Sequence, residues 1–327
     1  MKKITIGITD YFTPPAELEK SAFPGAEFVF LDSLDNKDAL SLPDGLLVYK
    51  SRIGRDTIQL LKNCKMIVRY GVGYEKVDLE ACTAHGIAVC NNPDYGTEEV
   101  ADSACAMILS LARRTFSYDH HCRDFQSGWQ ENTETPLPRL SRCTLGIIGC
   151  GRIGTAVALR MKAFGMNITF YDPYKPSGYE KSIGISRTDS LEGLLSQSDI
   201  VTLHCPQNTE TAGMIDSGFI GSMKQDAILV NTARGGIFAD LDAVMDGLKS
   251  GKLRAAAADV LPQEPPDMKH PLLDAWRRRE EWLAGRLVIT PHVAYFSEHS
   301  IREMRFKAAE TLRLFFENGI IRNRVND

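Results

Sequence analysis

No two cysteines in this chain stand at the C-x-x-C spacing, although eight are present, at 64, 82, 90, 105, 122, 143, 150 and 205. Zinc ribbons and thioredoxin-type redox centres need that spacing, so neither is expected. Several of these cysteines sit inside apolar runs, such as those at 87–90 and 145–150, and read as buried, reduced thiols behaving as small hydrophobes. His120, His121 and Cys122 are adjacent, but no second ligand pair follows at a convincing spacing, and no metal is expected. The chain also lacks an excess of positive charge. A formal net charge of −4 and a pI near 6.0 argue against a broad nucleic-acid-binding surface. Missing too is any apolar stretch of membrane-spanning length. The opening MKKITIGITD alternates as a strand does and has no continuous apolar core of the signal-peptide kind. A cytoplasmic protein without membrane or nucleic-acid partners is the expectation. No short-period repeat and no low-complexity tract is found.

What is present suits a folded enzyme. Hydrophobic residues make up 43% and charged residues 24% of 327, ordinary values for a globular chain long enough for two domains. In the first third, apolar runs at 4–8, 28–31, 46–49, 66–70 and 87–90 predict strands. Helical patterns at 56–62 and 77–85 fall between them, the latter ending at Gly86, so a parallel sheet with crossover helices is expected. A long helix is predicted from Thr97, with Thr97 as cap, Glu98 and Glu99 at its positive end, and Arg113 and Arg114 near its far end. Its near-continuous apolarity through 100–111 predicts burial and a bridge into a second domain. The more polar stretch 116–141, with His120, His121 and Trp129, reads as an exposed arm. From Thr144 the alternation resumes, with strands predicted at 145–149, 168–172, 200–204, 228–231, 255–260 and 287–290. Six is the number of a dinucleotide-binding doubly wound sheet. A last helix from Ser297 to about Asn318 cannot extend that sheet without reversing, and is expected to return to the first domain. The basic and acidic cluster at 277–281 reads as a solvated helix face.

The run TLGIIGCGRIG sets Gly149, Gly151 and Gly154 at the spacing G-x-G-x-x-G, after an apolar strand and at the opening of a helix. Gly149 permits the tight turn, Gly151 lets backbone approach a pyrophosphate, and Gly154 lets helix and strand pack closely. The next predicted strand ends in Asp172, whose carboxylate can accept the adenosine ribose hydroxyls and repel an added 2′-phosphate. NAD is therefore the expected cofactor. Three further strand ends carry NTARGG at 231–236, DVLPQEP at 259–265 and TPHVA at 290–294. They supply Arg234, Glu264 and His292. Reduction of a 2-keto acid needs a cation to hold the carboxylate and polarise the ketone. It also needs a proton donor, which histidine provides near neutral pH, and a carboxylate beside it to fix its orientation.

The motifs LGIIGCGRIG, NTARGG, ADVLPQEP and TPHVAYFSE, with RYGVGYEKVDLEAC and NNPDYGTEEVADS in the first third, resemble the D-isomer-specific 2-hydroxyacid dehydrogenase family in order and over nearly the whole chain. The resemblance implies an α/β protein of two doubly wound parallel-sheet domains. A flavodoxin-like substrate domain would comprise 1–101 plus 297–327, and a Rossmann NAD-binding domain 102–296. It implies Arg234, Glu264 and His292 as catalytic residues. For the cofactor it implies Arg152 and Ile153 of the glycine loop, Asp172, His204, Cys205 and Pro206, then Thr232, Ala233, Arg234, Asp259 and His292, with Asp259 facing the nicotinamide amide and Val100 beside the ring. Backbone N–H groups of Val72 and Gly73 would take the substrate carboxylate, together with Arg234 and His292. Lys50, Arg52 and Arg69 either meet extra negative charge on the substrate or are surface charges. A homodimer formed through the NAD-binding domain is also implied, with 116–141 as interface arm and Trp129 as its anchor or as a residue packed within its own subunit.

Within the family the stretches KAFGMNITFYDPY and HVAYFSEHSIREM are most similar to the C-terminal-binding-protein and phosphoglycerate-dehydrogenase-like branch. The alternative reading is therefore an NAD(H)-sensing corepressor or scaffold that docks peptides. Against it, the chain ends about where the catalytic fold is expected to end, and Tyr295 stands where those corepressors have tryptophan. Which 2-hydroxy acid is used cannot be read from these residues, since the same groups serve glyoxylate, hydroxypyruvate, phosphoglycerate and bulkier acids.

Overall fold

Short apolar runs separated by polar, glycine-bearing turns make two parallel sheets. They are seen in a computed structural model that describes residues 3–10, 14–123 and 136–327. Contacts divide the chain into two units, Met1–Gly96 with Phe296–Asp327, and Thr97–Tyr295. The divisions fall at 96/97 and 295/296, against the 101/102 and 296/297 suggested by the sequence, because the long helix from Thr97 lies wholly within the second unit.

In the first unit, β1 (Ile4–Ile8), β2 (Ala26–Phe30), β3 (Gly45–Val48), β4 (Met66–Arg69) and β5 (Ala88–Cys90) pair in parallel in the order β2-β1-β3-β4-β5. That is the flavodoxin-like winding. Every residue of β3, β4 and β5 is buried, which is why these strands read as continuous apolar runs rather than alternating ones. Helices α1 (Glu17–Ala22), α2 (Lys37–Ser41), α3 (Arg55–Leu60) and α4 (Leu79–Ala84) fill the crossovers. Asn36 and Asp78 cap α2 and α4 by accepting from Ala39 N and Ala81 N.

The helix Glu298–Asn318 belongs to this unit and packs on α1, β3 and β4. Ser297 starts it with a reciprocal pair of hydrogen bonds to Ser300, and Met304, Ala308, Thr311 and Leu312 form its buried stripe. Glu19, fully buried, receives both arms of the Arg305 guanidinium at 2.7 Å and the Tyr70 hydroxyl at 3.0 Å. A carboxylate without water needs such partners, and removing one of them typically costs about 3–5 kcal/mol.

The second unit opens with α5 (Thr97–Ala112) and α6 (Thr115–His121), followed by β6 (Thr144–Ile148), α7 (Arg152–Ala163), β7 (Asn167–Tyr171), α8 (Tyr179–Ile183), β8 (Ser186–Arg187) and α9 (Leu191–Gln197). Next come β9 (Ile200–Leu203), α10 (Ser217–Ser222), β10 (Ala227–Asn231), α11 (Asp242–Ser250), β11 (Leu253–Ala258), α12 (Pro271–Arg277) and β12 (Leu287–Ile289). The parallel order is β12-β11-β10-β9-β6-β7-β8, a Rossmann winding. It has seven strands where six were expected. The extra one, β8, is a two-residue edge strand whose Ser-Arg sequence carries no apolar signal. α5 buries Ala101, Ala104, Cys105, Met107, Ile108, Leu111 and Ala112 while packing on α7, β10 and β11, which explains its broad apolar surface. The cluster expected to be a solvated helix face lies mostly past α12, which ends at Arg277.

β6 has β7 on one side and β9 on the other. Successive crossovers diverge there, and in such sheets ligands bind beyond the carboxyl ends of the strands at that point. Of the expected arm, residues 124–135, Trp129 included, lie outside the described residues.

Candidate active site

Steric demand explains two of the three glycines of the loop after β6. Gly149 has φ +85°, and a Cβ there would stand 2.6 Å from Cys205 N. A Cβ on Gly154 would stand 2.1 Å from Gly149 O, so α7 could not close on the loop. Gly151, by contrast, faces open space, with nothing within 4 Å of its Cβ position. It caps α7 without a side-chain hydrogen bond, so the first N–H groups of a twelve-residue helix are left for an anion. Asp172, one residue past β7, accepts Cys150 N at 2.9 Å on one oxygen and Tyr174 N at 3.0 Å on the other. It therefore ties the glycine loop to the β7 end while each oxygen keeps acceptor capacity.

At the same sheet edge two buried polar atoms have no partner, Thr232 Oγ1 after β10 and His204 Nδ1 after β9. The other ring nitrogen of His204 is 3.0 Å from Thr202 Oγ1, and burial pushes its pKa down to about 3, so the ring is neutral at working pH. Cys205 follows, its thiol raised to about 11 by burial, which leaves it unreactive. Pro206 and Arg152 are exposed, and Ile153 packs against the core under α7. An open glycine, uncapped helix N–H groups, an acidic residue at the next strand end and orphaned polar atoms fit a dinucleotide.

Three neighbouring strands, β10, β11 and β12, carry the chemical groups at their carboxyl ends. Asn231 shapes the first segment, donating to Arg234 O at 3.0 Å and accepting from Ala233 N at 2.9 Å. The half-buried Arg234 is held by its own Nη1, 2.8 Å from Ala233 O. Gly235 presses onto the second segment so closely that a Cβ would lie 1.8 Å from Leu261 O. There Leu261 N donates to Glu264 Oε1 at 3.0 Å. Glu264 Oε2 stands 2.7 Å from His292 Nδ1, which leaves the far ring nitrogen, Nε2, to face outward chemistry. His292 adopts φ +57°, a conformation most side chains avoid.

Asp259 stabilises that strained segment. Its carboxylate, 2% exposed, accepts from Thr290 Oγ1 at 2.6 Å, Val293 N at 2.9 Å and Ala294 N at 2.9 Å, while its carbonyl accepts His292 N at 2.8 Å. Expected as a group facing the nicotinamide, it is buried and engaged with residues 290–294. The Tyr295 ring stands edge-on to His292 with centroids 6.5 Å apart.

Val100 is half-buried in the first turn of α5. Val72 and Gly73 belong to the first unit. The carbonyls of Gly71, Val72 and Gly73 take Asn92 N at 3.2 Å, Asn91 Nδ2 at 2.7 Å and Arg69 Nε at 2.9 Å. The N–H groups of Val72 and Gly73 have no hydrogen-bond partner among the described residues. Arg69 is buried and donates to the carbonyls of Val48, Tyr49 and Gly73, so it shapes this turn rather than meeting a ligand. Lys50 and Arg52 are exposed. His120 and His121 both approach Glu281, at 3.3 and 3.5 Å. Asn91, Asn231 and the shaping role of Arg69 escaped sequence reasoning, because their partners become neighbours only in the fold.

The sequence pattern of the "D-isomer specific 2-hydroxyacid dehydrogenase, NAD binding domain" matches residues 105–294. C-terminal-binding protein 1 of Caenorhabditis elegans is 32% identical over 274 residues, 82% of this chain and 36% of that protein. D-3-phosphoglycerate dehydrogenase of Archaeoglobus fulgidus is 36% identical over 277 residues, 85% of this chain and 50% of that protein. The chain thus spans half or less of the length of these curated relatives. Among solved structures, D-lactate dehydrogenase from Aquifex aeolicus, complexed with NAD and lactic acid, superposes with a TM-score of 0.81 at 27% identity, covering 95% of each chain.

Proposed function

Because the chain belongs to the D-isomer-specific 2-hydroxyacid dehydrogenase family, we propose that it binds NAD in its second unit and moves a hydride between the nicotinamide and C2 of a small D-2-hydroxy acid or 2-keto acid. The observation that carries this reading is the His292–Glu264 contact of 2.7 Å, in a segment held at positive φ and at the same sheet edge as the glycine loop. When bound, the cofactor would supply the hydride as NADH or accept it as NAD⁺. Arg234 binds the substrate carboxylate and polarises the C2 carbonyl, where negative charge develops during reduction. His292 Nε2 delivers the proton that turns that oxygen into a hydroxyl, and takes it back in oxidation, while Glu264 fixes the ring at Nδ1. Asp259 keeps residues 290–294 in place and Thr232 and His204 meet the cofactor. Within the first unit, the paired N–H groups of Val72 and Gly73 form a nest able to take an anion. Reduction consumes one keto acid, one NADH and one proton, and yields one hydroxy acid and one NAD.

A spectrophotometric screen of 2-keto acids with NADH and NADPH tests the reading. NADH-dependent turnover of at least one acid is expected, and inertness toward all of them would remove it. The similarity to C-terminal-binding protein 1 favours a second reading, a dinucleotide-sensing scaffold that docks peptides; peptide capture without turnover would put it first. A homodimer formed through the second unit is part of the proposal, checked by light scattering. No helix among the described residues is long and apolar enough to cross a membrane, and a cytoplasmic location remains part of the proposal.

A further inference from the structure

Asp172 is not the only acid on the segments that follow the strands flanking β6. The sheet order puts β6 between β7 and β9, so the segments following β7 and β9 flank the loop that follows β6. One hydrogen bond joins these flanks: the Tyr174 hydroxyl donates to the Glu210 carboxylate at 2.6 Å. Tyr174 N is itself bound to Asp172 at 3.0 Å. A single tyrosine therefore spans the distance between the two carboxylates.

We propose that Glu210, held in place by Tyr174, is a second determinant of selectivity for NAD over NADP, acting with Asp172 against the 2′-phosphate. The inference rests on the NAD-binding reading above and adds to it a residue that the glycine-loop motif does not contain.

Both ends of the tether are built by the protein alone. On the β7 side, Arg187 donates to the carbonyls of Asp172, Lys175 and Pro176 at 3.2, 3.0 and 3.4 Å, which fixes the turn carrying Tyr174. On the β9 side, Asn208 Oδ1 accepts Glu210 N at 2.9 Å and Thr211 N at 3.1 Å, and Thr211 Oγ1 donates to Pro206 O at 2.7 Å. Glu210 thus sits at the tip of a closed turn, with little freedom left to lose when its carboxylate is held.

Its charge is not cancelled locally, since no cation lies within ion-pair distance of Glu210 among the described residues. The Tyr174 hydroxyl donates a hydrogen bond but brings no charge. The cations nearby would otherwise welcome a phosphate. Lys175 lies over the Tyr179 ring at 4.4 Å, and the exposed Arg152 opens α7. Two carboxylates on this rim oppose that pull for a ribose phosphate while leaving a ribose hydroxyl unaffected. Tyr174 is 73% exposed, so the interaction runs partly through water and salt screens it within about 8 Å at physiological strength.

The test is equilibrium binding of NADH and NADPH, read from dinucleotide fluorescence, for wild type, Glu210→Gln and Tyr174→Phe. Glu210→Gln keeps the hydrogen-bond acceptor and removes the charge. It should tighten NADPH by about three- to tenfold while NADH changes by less than about twofold, and the gain should shrink as salt rises. Tyr174→Phe, which releases the carboxylate without removing it, should give a smaller gain in the same direction. Equal changes for both dinucleotides would overturn the proposal, because the pair would then clasp adenosine without regard to the phosphate. No change for either would overturn it as well. Wild type that binds neither dinucleotide would instead defeat the NAD reading, and this inference with it.

Discussion

The two sheets share a winding principle, yet their strand-end segments are finished differently. In the first unit Asp10 closes the turn after β3, accepting Tyr49 N at 3.1 Å and Lys50 N at 2.9 Å, with Ser51 N also bound to it. Arg69 closes the next turn by donating to three backbone carbonyls, and the N–H pair of Val72 and Gly73 has no partner among the described residues. In the second unit the corresponding edge leaves Thr232 Oγ1 and His204 Nδ1 without partners, Gly151 uncovered and α7 uncapped. Unmatched polar groups lower stability, and a ligand that completed Thr232 and His204 would remove that cost; unpartnered buried atoms also occur elsewhere, at Glu180, Arg254 and Arg322. The same edge holds the one segment in which a histidine is kept at positive φ by a buried aspartate.

This contrast breaks most sharply at His292. Replacing it with alanine should lower kcat by about 10²- to 10⁴-fold, with NADH affinity held within about twofold; steady-state kinetics with a binding titration reads both. The glycines come next. Gly154→Ala drives a Cβ to 2.1 Å from Gly149 O and should cost about 1–3 kcal/mol of stability as well as most NADH binding. Gly151→Val should lose NADH binding and leave the thermal midpoint alone. Gly54→Ala in the first unit, also in open space, should change neither, and a loss of NADH binding there would blur the distinction between the units.

Thr232→Val should be neutral or stabilising by up to about 1 kcal/mol, because it removes an unpaired buried hydroxyl, while weakening NADH by about three- to tenfold. Calorimetry and titration separate these two effects. A last test uses acid. His204 is lowered to about 3 in the fold, against about 6.5 in an unfolded chain. The unfolded state then binds the extra proton, so this residue's contribution is intact above pH 6.5 and drains away as pH falls toward 3. His204→Gln should flatten the pH dependence of stability in that window, as followed by acid titration of the unfolding midpoint.

How much of this was legible depended on whether the cause was local. β6, β9 and β10 announce themselves as apolar runs because both of their faces are covered. β8 is two residues of polar sequence paired at an edge, and α1 and α2 are too short to show a period. Gly149 and Gly154 were readable since no other residue fits where they stand. Arg234, Glu264 and His292 could be named from strand-end position and chemistry, but the Glu264–His292 contact and the positive φ could not. Nor could the work of Asp259, Asn231 or Arg69, whose partners lie elsewhere in the chain or depend on the shape of a turn. Asp172 was expected to face a ribose, and its two bonds to the backbone of Cys150 and Tyr174 appear only in the fold.

Isotope tracing tests the central claim most directly. A 2-keto acid that is turned over would be reduced with NADH deuterated at the transferring position, and its product analysed by mass spectrometry and chiral chromatography. The account predicts a D-configured hydroxy acid with the deuterium on C2. A product labelled elsewhere, or of L configuration, would contradict it.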